Sequence, residues 1–297
     1  MTNNRIAVVL EYDGTDFIGW QRQAAGRSVQ DALERALGIV ADESVCAVAA
    51  GRTDAGVHAG HQVVHFDTTQ LRTPRNWVLG ANANLPADAA VCRAHAVSGD
   101  FHARFSATAR AYRYLILERP TRPVLARRHV AWTHRTLDVA RMQEAAVQLI
   151  GEHDFSAFRG ADCQARTPLR TVHRLTIERR DHIICVEVKA NAFLHHMVRN
   201  IVGSLMWVGC GKTTPDWMRV VLASRDRRCA GPCAPARGLS LIGVDYPPHY
   251  GLPLSTDATL ETSGPRDPVG YDDSRLDGRN ARADIHEGTS KNALFPR

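Results

Sequence analysis

Residues 51–59, Gly-Arg-Thr-Asp-Ala-Gly-Val-His-Ala, place one carboxylate, Asp54, between an arginine and two glycines. They follow the apolar run Val45 to Ala50, which reads as a buried strand, so Asp54 is expected where a strand opens into a tight loop. Gly51 and Gly56 permit the sharp backbone and close ligand approach that such a loop needs. A lone carboxylate there can attack as a nucleophile or take a proton, and Arg52 can aim a fixed fork of donors at a phosphate or carboxylate. The same Asp-Ala-Gly also fits a plain turn in which the aspartate bonds its own backbone. This segment alone leaves both readings open.

Histidines offer a second possible chemistry. His58, His61 and His65 form His-x2-His-x3-His, and His195-His196 form a pair. On a strand, side chains three and four apart cannot all converge on one ion, so no metal site is expected. Cys229-x3-Cys233 lacks a second pair, and the zinc deaminase pattern is absent because Pro232-Cys233 is followed by Ala-Pro-Ala.

The elements that must position these residues follow from periodicity. Arg5 to Tyr12 reads as a β-branched strand, and Ser28-Val-Gln-Asp31 as a capping box opening a helix with Val29, Leu33, Leu37 and Val40 on one face. Strands are expected at 45–50, 61–67 and 89–97, with a short helix from Pro74 to about Ala83. The second half repeats the order: a strand from Thr108 to Glu118, a helix from Leu137 to Ile150, and a hairpin of 171–180 and 182–190. Helices follow from about Phe193 to Val208 and from Pro215 to Ser224, then a closing strand at 239–245. Two successive β-α-β-β-α-β units predict an α/β (α+β) chain of two ferredoxin-like halves, residues 1–105 and 106–250. Residues 251–297 are rich in Gly, Pro, Ser, Thr, Asp and Arg and read as a disordered tail.

At 297 residues, 44% hydrophobic and 23% charged, the composition is that of a soluble globular protein. The net charge is +6, and the tail carries 8 acidic and 6 basic residues, so the body is the more basic part. This favours an anionic partner. Arginine supplies 34 of the 37 cations, which suits phosphate forks and base stacking and equally fits a GC-rich coding bias. Seven scattered cysteines and no export signal predict free thiols in a reducing cytoplasm, and no apolar run reaches membrane-span length. A Gly-rich dinucleotide fingerprint and a phosphate-binding Walker loop are both missing, so no cofactor is expected.

Four further blocks stand beside the Asp54 loop: Asp13-Gly-Thr-Asp-Phe-Ile-Gly-Trp-Gln-Arg-Gln23, Phe101-His-Ala-Arg-Phe-Ser-Ala-Thr-Ala-Arg-Ala-Tyr-Arg-Tyr114, Lys189-Ala-Asn-Ala-Phe-Leu-His-His-Met-Val-Arg-Asn-Ile-Val-Gly203 and Arg237-Gly-Leu-Ser-Leu241. In this order, from about Ile6 to Pro247, they resemble the signature blocks of the TruA family of tRNA pseudouridine synthases. The resemblance does not cover the tail. It implies isomerisation of uridine to pseudouridine at positions 38, 39 and 40 of the tRNA anticodon stem-loop. It also implies a cytoplasmic homodimer and a catalytic cleft flanked by the antiparallel sheets of the two halves.

The resemblance assigns Asp54 as the catalytic carboxylate, Arg199 as its charge partner and Tyr112 as the active-site tyrosine, placed to stack on the base and relay a proton. Arg52 matches a residue that helps extrude the nucleotide, and Leu241 an apolar side chain lying against the base. Arg22, Arg104, Arg110 and Arg113 are expected backbone contacts. Ala111 departs from the pattern, which leads us to expect a basic residue there. Whether Asp54 attacks C1′, adds to C6 or removes a sugar proton stays open. The rival readings are a non-catalytic tRNA-binding protein of the same fold, which would leave Asp54 idle, and a metal-dependent nuclease.

Overall fold

The computed structural model describes residues 4–252; beyond Leu252 the expected tail lies outside the described residues. Strand β1 (Asn4–Tyr12) is the almost wholly buried centre of the first half, antiparallel to both β3 (His58–Thr68) and β4 (Ala89–Val97). A short β2 (Val48–Ala49) lies against the end of β3. Helix α1 (Val29–Ala41) starts at Ser28, whose Oγ accepts the Asp31 N–H at 3.2 Å, and α2 (Pro74–Asn84) starts at Thr73 with Pro74 in the first turn. Both starts are the ones that capping chemistry dictates.

The second half is built on β5 (Ala109–Glu118), β8 (Leu169–Arg180), β9 (Ile183–Ala190) and β10 (Leu239–Asp245), with α3 (Val139–Val147), α4 (Met197–Gly209) and α5 (Trp217–Ser224). Two short strands unforeseen in the sequence, β6 (Ala131–Thr133) and β7 (Gly151–Asp154), extend it by pairing with β5 and β8. The strand order is β4-β1-β3-β2 in the first half and β10-β5-β9-β8 in the second, so each half places its fourth strand beside its first.

The expected α+β architecture is present, with one change of detail. The two sheets are a single ten-stranded, mostly antiparallel sheet, because β10 runs parallel to β3 through Ser240–His58 and Leu241–Ala59. One edge of β3 is therefore shared, with β10 at its start and β2 near its end. This explains why the apolar run 45–50 forms only a two-residue strand, since the start of β3 is already paired. The chain between, residues 50–57, is forced out of the sheet at the junction of the halves.

Helix α4 is packed closely enough to act as a rigid support. A β-carbon on Gly203 would lie 1.7 Å from the Pro232 carbonyl oxygen, so only glycine lets the 231–234 segment run against the helix. Gly231 N–H donates to Ser204 Oγ (2.9 Å) and Ala234 N–H to the Arg199 carbonyl (3.1 Å), fixing that segment beside Arg199. Among the described residues no helix is long and apolar enough to cross a membrane.

Candidate active site

The Asp54 loop is clamped from every side by backbone and buried polar groups. Trp20 N–H donates to the Thr53 carbonyl (3.0 Å) and Gly56 N–H to the Phe17 carbonyl (3.4 Å), joining the loop to the 13–23 block. Beneath it, Tyr12 Oη and Thr53 Oγ1 share a buried hydrogen bond of 2.7 Å, and Gln62 Nε2 donates to the Gly51 carbonyl at 2.7 Å. Gly19 (φ +105°) and Gly56 (φ +75°) take left-handed backbone, and a β-carbon on Gly19 would meet the Thr53 carbonyl oxygen at 2.7 Å. The plain-turn alternative for Asp54 does not account for where its side chain goes.

That side chain is 24% exposed and meets three nitrogen-bearing groups. Arg199 Nη1 lies 3.3 Å from Oδ2, His196 Nε2 lies 3.3 Å from Oδ2, and His195 Nε2 lies 3.4 Å from Oδ1. Arg199 is itself anchored, its Nε donating to the Ala234 carbonyl at 2.7 Å. One cation and two imidazoles thus surround one carboxylate at the seam between the halves. Burial and the Arg199 charge hold the His196 imidazolium below the usual histidine range, against the opposing pull of Asp54.

Periodicity places the start of this helix near Phe193, which hides where His195 and His196 stand. The helix begins instead at Met197, and His196 sits in left-handed backbone (φ +60°, ψ 3°) at its N-cap. A non-glycine residue is uncommon in that backbone region, and here it carries the imidazole beside Asp54. A signal was present, since His195 and His196 precede Arg199 by four and three residues, which is side-chain adjacency on helical geometry.

Tyr112 on β5 is 8% exposed and meets Phe193 edge to face, ring centroids 5.0 Å apart. Its hydroxyl lies near Gly51, where a β-carbon would approach it to 3.9 Å. Burial, together with the charges of Tyr12 and Asp54, pushes this phenol well above its ordinary range. Such a group favours its protonated form, which makes the phenol a weak base and puts the weight of the expected role on the ring. Tyr112→Phe is accordingly expected to keep single-turnover rates within about 10-fold, whereas Tyr112→Ala, which removes the ring, falls by about 100-fold or more. Quenched-flow conversion of one RNA substrate separates the two.

The expected RNA contacts divide. Arg52 and Arg104 are exposed, and the Arg104 guanidinium lies over the exposed Phe105 ring at 5.5 Å. Arg22 is exposed but paired with Glu34 (2.5 Å) and Asp31 (3.2 Å), and Arg113 is paired with Glu187 across β5 and β9 at 2.8 Å.

Two of the expected contacts lie buried in this structure. Arg110 is only 8% exposed and directs its guanidinium to the carbonyls of Ala50, Arg104, Ala107 and Asn191. Its donors fasten the root of the Asp54 loop to the 104–107 segment, so here it acts as a clamp with its donors already engaged. Leu241 is fully buried on β10 between β3 and β5.

Among the described residues, potential metal ligands form two groups whose donor atoms lie within 4.8 Å of one another: Asp13, His58 and His129; and Asp54, His195 and His196. In the first, His58 Nδ1 already accepts the Gly14 N–H (3.1 Å), and Asp13 Oδ1 accepts twice from Thr15 (3.0 and 2.6 Å). In the second, the imidazoles are stacked at 3.9 Å between centroids and 28° between planes. Stacked rings send their Nε2 atoms side by side, a spacing that suits the two oxygens of one carboxylate better than convergence on one ion.

Sequence comparison gives the site its context. The family described as tRNA pseudouridine synthase matches this chain over residues 8–106 and 145–247. "tRNA pseudouridine synthase A" of Nitrosococcus oceani is 53% identical over 257 residues, covering 86% of this chain and 99% of that protein. The protein of the same name from Vibrio cholerae is 53% identical over 249 residues, 84% of this chain and 94% of the relative. That of Coxiella burnetii is 51% identical over 249 residues, 84% and 95% respectively.

Proposed function

Because the chain belongs to the tRNA pseudouridine synthase family, we propose that it isomerises uridine at positions 38, 39 and 40 of the tRNA anticodon stem-loop, with Asp54 as the catalytic carboxylate. The coarser statement, that it is a tRNA pseudouridine synthase and hence an isomerase, follows from the family itself. The observation that supports the role of Asp54 is the convergence of Arg199, His195 and His196 on a single carboxylate held in a clamped loop. A protein that merely bound RNA would have no use for a surrounded anion, which repels phosphate.

The reaction breaks N1–C1′, forms C5–C1′, releases the proton from C5 and places one on N1. Reactant and product are isomers, so electrons balance without an oxidant or reductant. Asp54 starts the sequence as nucleophile or base, a role that requires it ionised, and Arg199 favours that form. The target nucleotide must leave its stack to reach the loop, at a cost of a few kcal/mol. Arg52, exposed two residues from Asp54, is placed to hold its phosphate, and Arg104 and Arg22 to contact flanking backbone. Tyr112 and Phe193 supply the aromatic wall. The homodimer implied by the family resemblance belongs to the same proposal and is read by sedimentation velocity.

Nucleotide-resolved mapping of pseudouridine in unmodified tRNA, treated with purified protein in chelator, tests the assignment. Product confined to 38–40 is the expected result. Product elsewhere in the molecule, or strand cleavage in place of isomerisation, would overturn it.

A further inference from the structure

The imidazoles around Asp54 have no part in the chemistry described so far, yet the fold goes to some length to put them there. Each carboxylate oxygen faces one Nε2, at 3.4 Å for His195 and 3.3 Å for His196. A carboxylate can only accept, so a neutral imidazole in this position carries its proton on Nε2. His195 Nδ1 is buried with no hydrogen-bond partner among the described residues. A bare nitrogen lone pair there costs less than a stranded N–H, which selects the same tautomer.

The place where the pair stands is shaped by a glycine on another segment. A β-carbon on Gly160 would lie 2.9 Å from His195 Nδ1 and 3.2 Å from His196 Nδ1, and Gly160 N–H donates to the His195 carbonyl at 2.8 Å. Gly160 has no left-handed φ, so its requirement for glycine is one of space alone. Behind it, Cys163 Sγ accepts the His195 N–H at 3.4 Å.

We propose that His195 and His196 are positioning residues for Asp54, each setting its Nε2–H edge against one carboxylate oxygen, and that Gly160 is glycine so that the pair can stand within reach. This rests on Asp54 being the reacting group. Neutral donors orient a carboxylate without cancelling its charge, so Asp54 stays reactive while its rotamer is fixed. An imidazolium would add a second full positive charge to the one Arg199 already supplies, over-stabilising the Asp54 carboxylate and holding it back from the nucleotide. The charged and titratable groups facing His196 are Asp54, Arg199, His195 and Asp162. Burial holds His196 below the ordinary histidine range, which favours the neutral form of that imidazole. The inhibitory ion pair forms only on the acid side of the ordinary histidine range.

The test compares His196→Leu, His196→Gln and Gly160→Ala with wild type, on one anticodon stem-loop, by single-turnover rate and by equilibrium binding. Leu and Gln bear the same backbone strain at φ +60°, so their difference isolates the side-chain donor. His196→Leu is expected to lower the rate by about 10–100-fold with binding unchanged. His196→Gln, whose amide sits near the Nε2 position and does not titrate, restores the rate to within about 3-fold and moves the acid limb of the pH profile to lower pH. Gly160→Ala slows the reaction to the same order as His196→Leu, with unaltered circular dichroism.

A wild-type rate in His196→Leu would overturn the proposal, as would His196→Gln being as slow as His196→Leu. An inactive wild type would overturn the function itself. An active wild type, an inactive Asp54→Asn and indifferent histidine variants would overturn only the positioning role.

Discussion

Asp54→Asn is expected to reduce pseudouridine formation below detection, a loss of at least about 10⁴-fold, while leaving tRNA affinity unchanged or slightly stronger. The replacement is isosteric, so the loop held by Trp20, Tyr12 and Gln62 has no reason to move. An amide neither attacks carbon nor accepts a proton at neutral pH, so every one of the three possible first steps is closed. Binding should not suffer because the substituted charge is negative and the ligand is a polyanion. Filter binding and nucleoside analysis on the same preparation read both quantities, and substantial turnover by the variant would refute the role given to Asp54.

Arg199→Met is expected to lower the single-turnover rate by about 10²–10³-fold, or about 3–4 kcal/mol of transition-state stabilisation. Arg199 is the one permanent cation among the three groups on Asp54, 3.3 Å from Oδ2 and itself 17% exposed. When the nucleotide covers the site and water leaves, the carboxylate loses hydration and depends on this partner to stay ionised. Methionine keeps the aliphatic length against α4 but loses both the charge and the bond to the Ala234 carbonyl. Arg199→Lys retains the charge and cannot span both partners, so an intermediate loss of about 10-fold is expected. If Arg199→Met turned over at the wild-type rate, the electrostatic account of the site would fail even with Asp54 confirmed.

Local patterns made much of this legible before any coordinates. Ser28 and Thr73 start their helices as side-chain capping requires, and the alternation in 108–118 gives β5 nearly to its ends. Asp54 and Arg199, 145 residues apart, were paired only through the family resemblance, since no spacing rule connects a loop to a distant helix. The departures have one physical origin, which is that side-chain environment depends on non-local packing. Arg110 reads as a surface cation, but β5 is central, and its guanidinium satisfies carbonyls left open where the 50–57 chain leaves the sheet. Leu241 faces inward because β10 closes the seam between β3 and β5. The histidine pair was obscured by a helix that starts four residues later than periodicity suggests, with left-handed backbone at His196 that no propensity foretells.

The measurement that bears most directly on the central claim is release of tritium from tRNA carrying uridine labelled at C5, because isomerisation must break that C5–H bond. Gel-filtered wild-type protein in chelator is expected to release one tritium for each pseudouridine formed, and Asp54→Asn none. No release by the wild type, or equal release by the variant, would contradict the account.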